Sequence, residues 1–289
     1  MNQGEKTEAG VPPDWPLQLF RKSLVKQARL REIAGLLGPV EGKVCLDVGG
    51  DCGALSQPLR ELGGTWHSVD LTERGVESVR RLVGERVERI TGPKLPFEDG
   101  LFDIIVIGDM LERMAEDGEL VAECHRCLRA AGRLIVNVPH IKRWAVLTPL
   151  RRMFGLAGGP ARAGYSESQL FDLLKDGFDV EAAHTYSRFF VEALDTLAQS
   201  LVRRGARGEQ DSEQDAPGMK KLLRTYSILY PFFQVAAVLD HLLFFAKGYR
   251  LIGRARRRQW RERRTPVLAD GRSIAEAALG GRIGTAAPF

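Results

Sequence analysis

The sequence predicts an α/β protein built around a mostly parallel sheet, and three observations lead to this fold class. Short apolar runs, typical of strands buried on both faces of a sheet, alternate with longer segments of helical periodicity. Glycines and acidic residues follow these runs, at the strand ends where parallel sheets bind ligands. At 289 residues, with 44% hydrophobic and 27% charged residues, the chain is long enough for one such core and a further elaboration.

The predicted elements follow one another regularly along the chain. Leu17 to Leu37 has apolar residues at helical intervals and ends at Gly38, which predicts one amphipathic helix before the first strand. Ser166 and Gln169 have the spacing of a capping box and predict a helix that stops at Gly177. The other predicted elements are strands at Val44 to Val48, Trp66 to Asp70, Val87 to Thr91, Ile104 to Ile107, Leu134 to Val138 and Phe178 to Thr185, and helices at Thr72 to Val83 and Phe189 to Val202.

The segment VCLDVGGDCG, from Val44 to Gly53, is typical of a buried strand that runs into a glycine-rich turn. Glycines are needed in such a turn because they adopt positive φ and let a ligand approach the backbone. Asp70 lies 21 positions after Gly49, at the end of the second strand, where its carboxylate can accept hydrogen bonds from both hydroxyls of a ribose. The pattern predicts a site for an adenosine-containing cofactor.

The glycine spacing indicates which cofactor this is. A dinucleotide-binding turn has the form G-x-G-x-x-G, whereas this turn is Gly49-x-x-x-Gly53, with Asp47 before it and Asp51 inside it. Two carboxylates repel a pyrophosphate, but they suit a molecule that carries an ammonium and a sulfonium. We therefore expect S-adenosyl-L-methionine, and the spacing disfavours a nicotinamide-dependent enzyme.

A second set of motifs lies between Leu95 and Pro139. It comprises LPFEDGLFD, an apolar strand, DMLER, and the turn RCLRAAGRL before another strand. Here the sequence closely resembles the class I S-adenosylmethionine-dependent methyltransferases, in the branch that carries LPF-x-D-x-x-FD, a strand, L-E-H and R-x-L-x-x-x-G-R-L. The resemblance runs from about Val44 to Pro139 and more weakly to Arg254. It implies a Rossmann-like, seven-stranded, mostly parallel sheet with helices on both faces and a helical insertion before the last strand.

The resemblance also implies a set of cofactor-binding residues and an activity, methyl transfer to a hydrophobic or lipid-linked small molecule. Three positions depart from the family pattern: Asp51 and Arg113 stand where the family has glycine and histidine, and Thr91 replaces the acid that contacts the adenine amine. The alternative is therefore a catalytically silent cofactor-binding or scaffold protein at the membrane surface. The implied cofactor-binding residues are Asp47, Gly49, Gly50, Asp51, Gly53, Asp70, Leu71, Thr91, Leu95, Gly108 and Asp109.

Methyl transfer requires alignment of the reactants and exclusion of water more than it requires a base. If the acceptor is a hydroxyl, His140, just past the fifth strand, is the first candidate to take its proton. The competing interpretation is a histidine hydrogen-bonded in a loop. Tyr165 and His184 are weaker candidates, and Asp109, at the end of the fourth strand, is expected to contact cofactor or substrate.

Two other chemistries find little support in the sequence. Cys124 and Cys127 fall in a predicted helix with no second cysteine pair to complete a zinc site, so we expect packed thiols and no metal. There is no G-x-S-x-G motif or other nucleophile and base pair that would support a hydrolase.

The domain organisation places one elaboration near the end of the chain. About 60 residues of insertion precede the predicted last strand, and an insertion there is expected to shape the acceptor pocket. The segment 1–16 lacks the apolar stretch that a signal peptide contains, so we expect a cytoplasmic protein. The predicted parts are a disordered N-terminus (1–16), a methyltransferase core (17–188), a helical insertion (189–247) with a polar linker (203–218), a closing strand (248–256) and a basic, then disordered tail (257–289).

The apolar block Ser227 to Ala246 is long enough to span a bilayer, but Pro231, Asp240 and His241 interrupt it. A cap helix, a helix in the membrane interface and a dimer contact remain as interpretations. Arg254 to Arg264 carries seven arginines and one glutamate, a net charge of +6 that exceeds the +5 of the whole chain.

An apolar block beside a basic cluster predicts peripheral attachment of residues 227–264 to an anionic membrane, on its inner face. Nucleic acid is a weaker alternative partner, because no nucleic-acid-binding fold accompanies the cluster. The apolar contact is expected from Phe232, Phe233, Leu242, Phe244 and Phe245.

Overall fold

A computed structural model describes residues 14–49, 51–108, 110–141, 162–204, 216–243 and 246–260. The strands are β1 (Val44–Val48), β2 (Thr65–Asp70), β3 (Val87–Arg89), β4 (Phe102–Gly108), β5 (Leu128–Pro139), β6 (Phe178–Tyr186) and β7 (Arg250–Arg257). They form one seven-stranded sheet in the order β3-β2-β1-β4-β5-β7-β6. Strand β7 runs antiparallel to β5 and β6, while β1 to β5 pair in parallel. The predicted fold class is confirmed.

The helices are α1 (Trp15–Lys22), α2 (Leu24–Leu37), α3 (Ser56–Glu61), α4 (Glu73–Val83), α5 (Asp117–Cys127), α6 (Glu167–Leu174), α7 (Phe189–Arg204) and α8 (Ala216–Leu242). The predicted capping box is confirmed at the start of α6, where the Ser166 and Gln169 side chains each accept from the other residue's backbone N–H. Thr72 caps α4 by accepting a hydrogen bond from the N–H of Gly75.

The N-terminal helix differs from the prediction in two ways. Residues Leu17 to Leu37 form parts of two helices, because Ser23 adopts an extended conformation and caps α2 with its hydroxyl. Apolar periodicity alone does not reveal such a cap. Helix α1 also begins at Trp15, within the segment predicted to be disordered, where Pro16 suits the first turn of a helix. Residues 1–13 lie outside the described part of the chain.

The sheet is buried on both faces, as its short apolar strands predicted. Alternate residues of β4 point to opposite sides, so that Ile105 and Ile107 join one core cluster while Ile104 and Val106 join the other. All four side chains are completely buried. Helices on both faces therefore hold the strand ends, where ligands bind in this class of fold, in fixed positions.

A third apolar cluster joins the insertion to the N-terminus of the chain. Leu19 of α1, Val191 of α7, and Tyr226 and Phe233 of α8 are among its buried residues. We call α1, α7 and α8 the helical cap. Pro231 was predicted to interrupt the apolar block but lies inside a continuous helix, since the packed side chains on either side of it hold the helix together.

The predicted polar linker 203–218 is shorter at both ends than expected, because α7 continues to Arg204 and α8 starts at Ala216. Residues 205–215 lie outside the described ranges. The closing strand, predicted at 248–256, is β7 and runs from Arg250 to Arg257.

Three arginines of the basic cluster that follows residue 253 form ion pairs with carboxylates of β6. The side chains of Arg254 and Arg256 lie 2.9 and 2.8 Å from Glu181 on β6. Arg258 lies 3.0 Å from Asp179 on the same strand. These two carboxylates form ion pairs with three of the seven arginines counted in the cluster, and residues 261–264 lie outside the described part of the chain.

Candidate active site

The loop after β1 makes a close approach to the loop after β4. Gly49 has a φ of +82°, and a Cβ atom on it would lie 2.7 Å from the carbonyl oxygen of Gly108. The same added atom would also lie in tight contact with the side chain of Met110, at 3.1 Å. Only glycine therefore allows this turn, and the two backbones come together at the end of the sheet.

Asp51 is held by two cations on α2. The ammonium of Lys26 donates a hydrogen bond to its Oδ2, and the guanidinium of Arg29 lies 3.5 Å from the same atom. Burial opposes ionisation of Asp51, but these two cations outweigh it and hold the pKa of the carboxyl below its usual range. The residue is therefore an anion in the cofactor loop.

Asp70 lies at the end of β2, where the sequence predicted it. Its Oδ1 accepts hydrogen bonds from the backbone N–H of Thr72 at 2.9 Å and from the hydroxyl of Thr72 at 3.0 Å. A Cβ on Gly75 would lie only 2.3 Å from this oxygen, so glycine at the start of α4 leaves room for the carboxylate. These contacts fix the side chain at the carboxyl edge of the sheet.

A cavity of about 370 Å³ lies between these loops and the helical cap. Four of the predicted cofactor-binding residues line it, namely Gly49, Asp51, Asp70 and Gly108. Gly50 and Asp109 lie outside the described residues. Cys52 also lines the cavity, but burial raises the pKa of its thiol to about 12, so it remains protonated at neutral pH.

Asp47 was predicted to face the cofactor, but its carboxylate is buried away from the cavity. It accepts hydrogen bonds from the hydroxyl of Ser68, at 2.7 Å, and from that of Ser56, at 3.3 Å. The guanidinium of Arg60 lies 3.5 Å away. Burial raises the pKa of Asp47 although these partners oppose the shift. The residue ties β1 to β2 and α3, because its side chain points from within the strand to the face of the sheet on which α3 lies.

The other predicted cofactor residues lie away from the described cavity walls. Gly53 faces α4, where an added Cβ would lie 2.7 Å from Leu82. Leu95 is buried in one of the core clusters, and Leu71 packs against the same cluster. Thr91 is exposed. The predicted contacts of these four residues with a cofactor remain predictions.

Apolar side chains from the helical cap form the far wall of the cavity, and no single motif in the sequence pointed to them. Trp15, Pro16 and Leu19 come from α1, while Leu222 and Tyr226 come from α8. Their signal in the sequence was helical periodicity, which predicts a buried face but not the partner it meets. The cap and the cofactor loop thus share one cavity.

None of the three candidate bases lines this cavity. Nδ1 of His140 lies 2.9 Å from the carbonyl oxygen of Gly248, which matches the interpretation of a loop histidine. The hydroxyl of Tyr165 donates to Asp117 at 2.8 Å, and burial raises its pKa far above the usual value. His184 is exposed on β6.

The cysteine pair lies where the sequence placed it, on α5. Cys124 and Cys127 are both buried in the core. Burial raises the pKa of the Cys127 thiol to about 11. Among the residues that the structure describes, no group of three His, Cys, Asp or Glu side chains could hold a metal ion.

Comparisons with known proteins agree with this geometry. The family described as "Methyltransferase domain" matches residues 46–136. The ubiquinone biosynthesis O-methyltransferase of Caulobacter sp. (strain K31) is 30% identical over 133 residues, which cover 42% of this chain and 53% of that protein. The ubiquinone/menaquinone biosynthesis C-methyltransferase of Paraburkholderia phymatum is 34% identical over 104 residues, 33% of this chain and 42% of that protein. The chain spans about half the length of these relatives.

A solved structure supports the fold beyond the matched region. A putative sarcosine dimethylglycine methyltransferase from Galdieria sulphuraria aligns with a TM-score of 0.52 at 16% identity, covering 81% of this chain and 85% of that one. At this identity the likeness concerns the fold alone. A proposed function must therefore explain three features of this chain: the sheet order, the loop after β1 and the acid at the end of β2.

Proposed function

We propose, from the premise that this chain carries a class I S-adenosylmethionine-dependent methyltransferase domain, that it transfers a methyl group to a hydrophobic or lipid-linked small molecule. One observation carries the proposal. The cavity that contains Gly49, Asp51 and Asp70 continues to the apolar side chains of the helical cap. Cofactor and acceptor would meet in this single space, which is the arrangement that methyl transfer requires.

S-adenosylmethionine fits the loop residues on two observations. Gly49 and Gly108 both line the cavity and carry no side chain, which leaves their backbone open to a ligand. Asp51 already forms an ion pair with the ammonium of Lys26, so its carboxylate can bind an ammonium group such as that of the cofactor. Asp51 would hold that ammonium and Asp70 the ribose hydroxyls.

When bound, S-adenosylmethionine supplies a methyl group on a sulfonium, which is already an activated leaving group. The residues of this chain orient the two reactants and exclude water. Trp15, Leu19, Leu222 and Tyr226 provide an apolar wall against which a hydrophobic acceptor would pack, and the packed acceptor would exclude water from the reacting atoms. No protein base is needed for an acceptor that is already nucleophilic.

The relatives give partial support for a lipophilic acceptor. The Caulobacter and Paraburkholderia proteins are named for quinone biosynthesis, and the match covers only about half of each. The second candidate, a catalytically silent cofactor-binding protein, is favoured by one observation. The ammonium of Lys26 already donates a hydrogen bond to the carboxylate of Asp51, so the ammonium of a cofactor would have to compete with Lys26 for it.

We also propose that the protein is cytoplasmic and attaches to the surface of an anionic membrane through α8. A stripe of apolar side chains repeats at helical spacing on this helix and faces solvent. Its members are Ile228 (60% exposed), Phe232 (58%), Val235 (60%) and Leu242 (68%). Lys221 and Arg224 continue the same face towards the start of the helix and are exposed, so cations adjoin the apolar stripe.

The structure changes which residues support this attachment. Phe233, predicted to contact lipid, is fully buried and stacks on Tyr226, whereas Phe244 and Phe245 lie outside the described residues. By length and composition Lys221–Leu242 could cross a membrane. Asp240 argues against this, because its carboxylate accepts hydrogen bonds from the N–H groups of Phe190 and Val191 and so caps α7.

Purified protein incubated with methyl-labelled S-adenosylmethionine and a bacterial lipid extract tests the proposed activity. We expect label in the organic-soluble fraction, and less of it with Asp70→Ala protein. Binding of S-adenosylmethionine with no labelled product in lipid or small-molecule extracts would favour the silent cofactor-binding protein. Absence of cofactor binding would overturn both candidates.

A further inference from the structure

The described walls of the cavity carry more positive than negative charge. Three carboxylates, on Asp51, Asp70 and Glu77, line it. Six cationic side chains line it as well: Lys26, Arg29, Arg74, Arg81, Arg113 and Arg250. S-adenosylmethionine itself carries a net positive charge, with an ammonium and a sulfonium against one carboxylate. A bound cofactor therefore makes the cavity more positive, which favours a further anion inside it.

Several of these cations have a local carboxylate partner. Lys26 and Arg29 hold Asp51, and Arg250 lies 3.1 Å from Glu192 of the cap. These ion pairs compensate part of the positive charge of the cavity. They also hold the ammonium of Lys26 and the guanidinium groups of Arg29 and Arg250 in place.

Arg113 differs from the other cations of the cavity. It lies in the turn after β4 and is exposed, and its guanidinium makes no hydrogen bond or ion pair to any residue that the structure describes. It lines the same cavity as Cys52 of the cofactor loop, so its side chain borders the space that a ligand at this loop would enter. A cation at the edge of a ligand cavity without a protein partner is placed to bind an anionic ligand group.

We infer that the acceptor carries a carboxylate or phosphate group and that Arg113 binds it, beside the cations around Asp51. This inference rests on the proposed methyl transfer and specifies its substrate class as an anionic amphiphile. The apolar part packs against the cap residues Trp15, Leu19 and Leu222, while the anion lies towards the loops at the end of the sheet. A forked guanidinium suits both anions, because it can donate two parallel hydrogen bonds to either.

Three short amphiphiles of equal chain length test the inference: octanoate, octyl phosphate and octanol. Their binding is measured by calorimetry on the full chain saturated with S-adenosylhomocysteine, which lacks the sulfonium charge, so that the measured preference reports the cations of the protein alone. At least one of the two anions should bind roughly tenfold or more tightly than octanol, the gain expected of a charge-assisted hydrogen bond. Whichever anion binds more tightly identifies the carboxylate or the phosphate as the preferred group.

Two arginine variants separate Arg113 from the general charge of the cavity. Arg113→Gln should lose most of the preference for the anions while its affinity for octanol stays the same. Arg81→Gln is the matched control: Arg81 also lines the cavity, but it lies 4.0 Å from Glu77 on α4, so the preference should persist. Equal binding of all three amphiphiles to the wild type, or an anion preference retained by Arg113→Gln, would overturn the inference.

The same experiment keeps this inference apart from the proposed function. S-adenosylhomocysteine is titrated first, without any amphiphile. If it does not bind, the proposed function fails and the inference fails with it. If it binds and no anion preference follows, the methyltransferase proposal stands and only the anionic acceptor is wrong.

Discussion

The ammonium of Lys26, on α2, donates a hydrogen bond to the carboxylate of Asp51, in the loop after β1. Arg29, three residues further along the same helix, lies 3.5 Å from the same carboxylate oxygen. These ion pairs thus tie α2 to the cofactor loop. Because a cofactor ammonium would approach the same carboxylate, Lys26 and the cofactor are expected to compete for Asp51.

Replacing Asp51 with asparagine removes its charge without changing its size. Asparagine tolerates the left-handed conformation that Asp51 adopts, with φ at +52°, so the loop should keep its shape. We expect Asp51→Asn to weaken binding of S-adenosylmethionine by roughly 1–3 kcal/mol, the value of a hydrogen bond to a charged group. Calorimetry measures this directly.

Asp51→Gly provides the comparison, since glycine is the usual residue of the related family at this position. It should not bind the cofactor more tightly than the wild type, because the anion is lost in both variants. A clear gain in affinity would mean that Asp51 obstructs the site, and would favour the catalytically silent protein.

The pKa of Asp51 predicts how its contribution to stability depends on pH. Its pKa is lowered in the folded protein, so the stability it adds is complete above its unfolded pKa, about 3.9. That contribution is lost as the pH falls towards the folded pKa. The free energy of unfolding of wild type minus that of Asp51→Asn should therefore be constant near neutral pH and shrink below about pH 4. Denaturant titrations across this range check the sign.

Asp70 is expected to bind the ribose of the cofactor. Asp70→Ala should weaken binding of S-adenosylmethionine by roughly 2–4 kcal/mol, because two charge-assisted hydrogen bonds disappear. Asp70→Asn should lose less, since an amide oxygen can still accept the hydrogen bonds from Thr72 and so keep the turn intact. Unchanged affinity in the alanine variant, or a wild type that prefers a nicotinamide dinucleotide, would contradict the cofactor assignment.

Local sequence patterns were sufficient for the sheet and for the glycine turn. Short apolar runs predicted the central strands, and they also predicted that Asp70 lies at the end of β2. Asp47 was predicted to bind the cofactor on a similar pattern, but it does not line the cavity. It lies within β1, opposite Ser68 on β2, so its side chain points to a face of the sheet and not into the cleft beyond its edge.

Contacts between distant segments could not be predicted in this way. Leu19 of α1 meets Tyr226 and Phe233 of α8 in the cap cluster, some 200 residues later in the chain. Periodicity indicates that each helix has an apolar face, but it does not identify the partner of that face. The arginines of β7 were misread for the same reason, because their partner Glu181 belongs to a neighbouring strand.

Gly49 should not tolerate a side chain. Gly49→Ala would force a Cβ to within 2.7 Å of the Gly108 carbonyl oxygen at a φ of +82°, so we expect a loss of roughly 1–3 kcal/mol in the free energy of unfolding. Gly35→Ala is the matched control. Gly35 lies in α2 with nothing within 4 Å of an added Cβ, so this variant should gain about 0.5–1 kcal/mol from helix propensity. Thermal and denaturant unfolding distinguish the two.

Membrane attachment is tested by flotation with vesicles of varied anionic content. The intact protein should float with anionic vesicles at low salt and dissociate as salt rises, because screening weakens the attraction of Lys221 and Arg224. Phe232→Ser combined with Val235→Ser should abolish most of the binding by removing the centre of the apolar stripe. Replacing Lys221 and Arg224 with glutamine should leave weaker binding that depends little on salt.

Phe171→Ser provides the control for these substitutions, because Phe171 is an equally exposed aromatic side chain on α6, at 55% exposure, and lies outside the stripe. It should float like the wild type. If the intact protein stays soluble with strongly anionic vesicles at low salt, α8 serves only as part of the cap, and the lipid-linked acceptor loses its main support. If alkaline washing fails to release the bound protein and detergent is required, α8 spans the bilayer, and the capping of α7 by Asp240 cannot persist in the membrane-bound state.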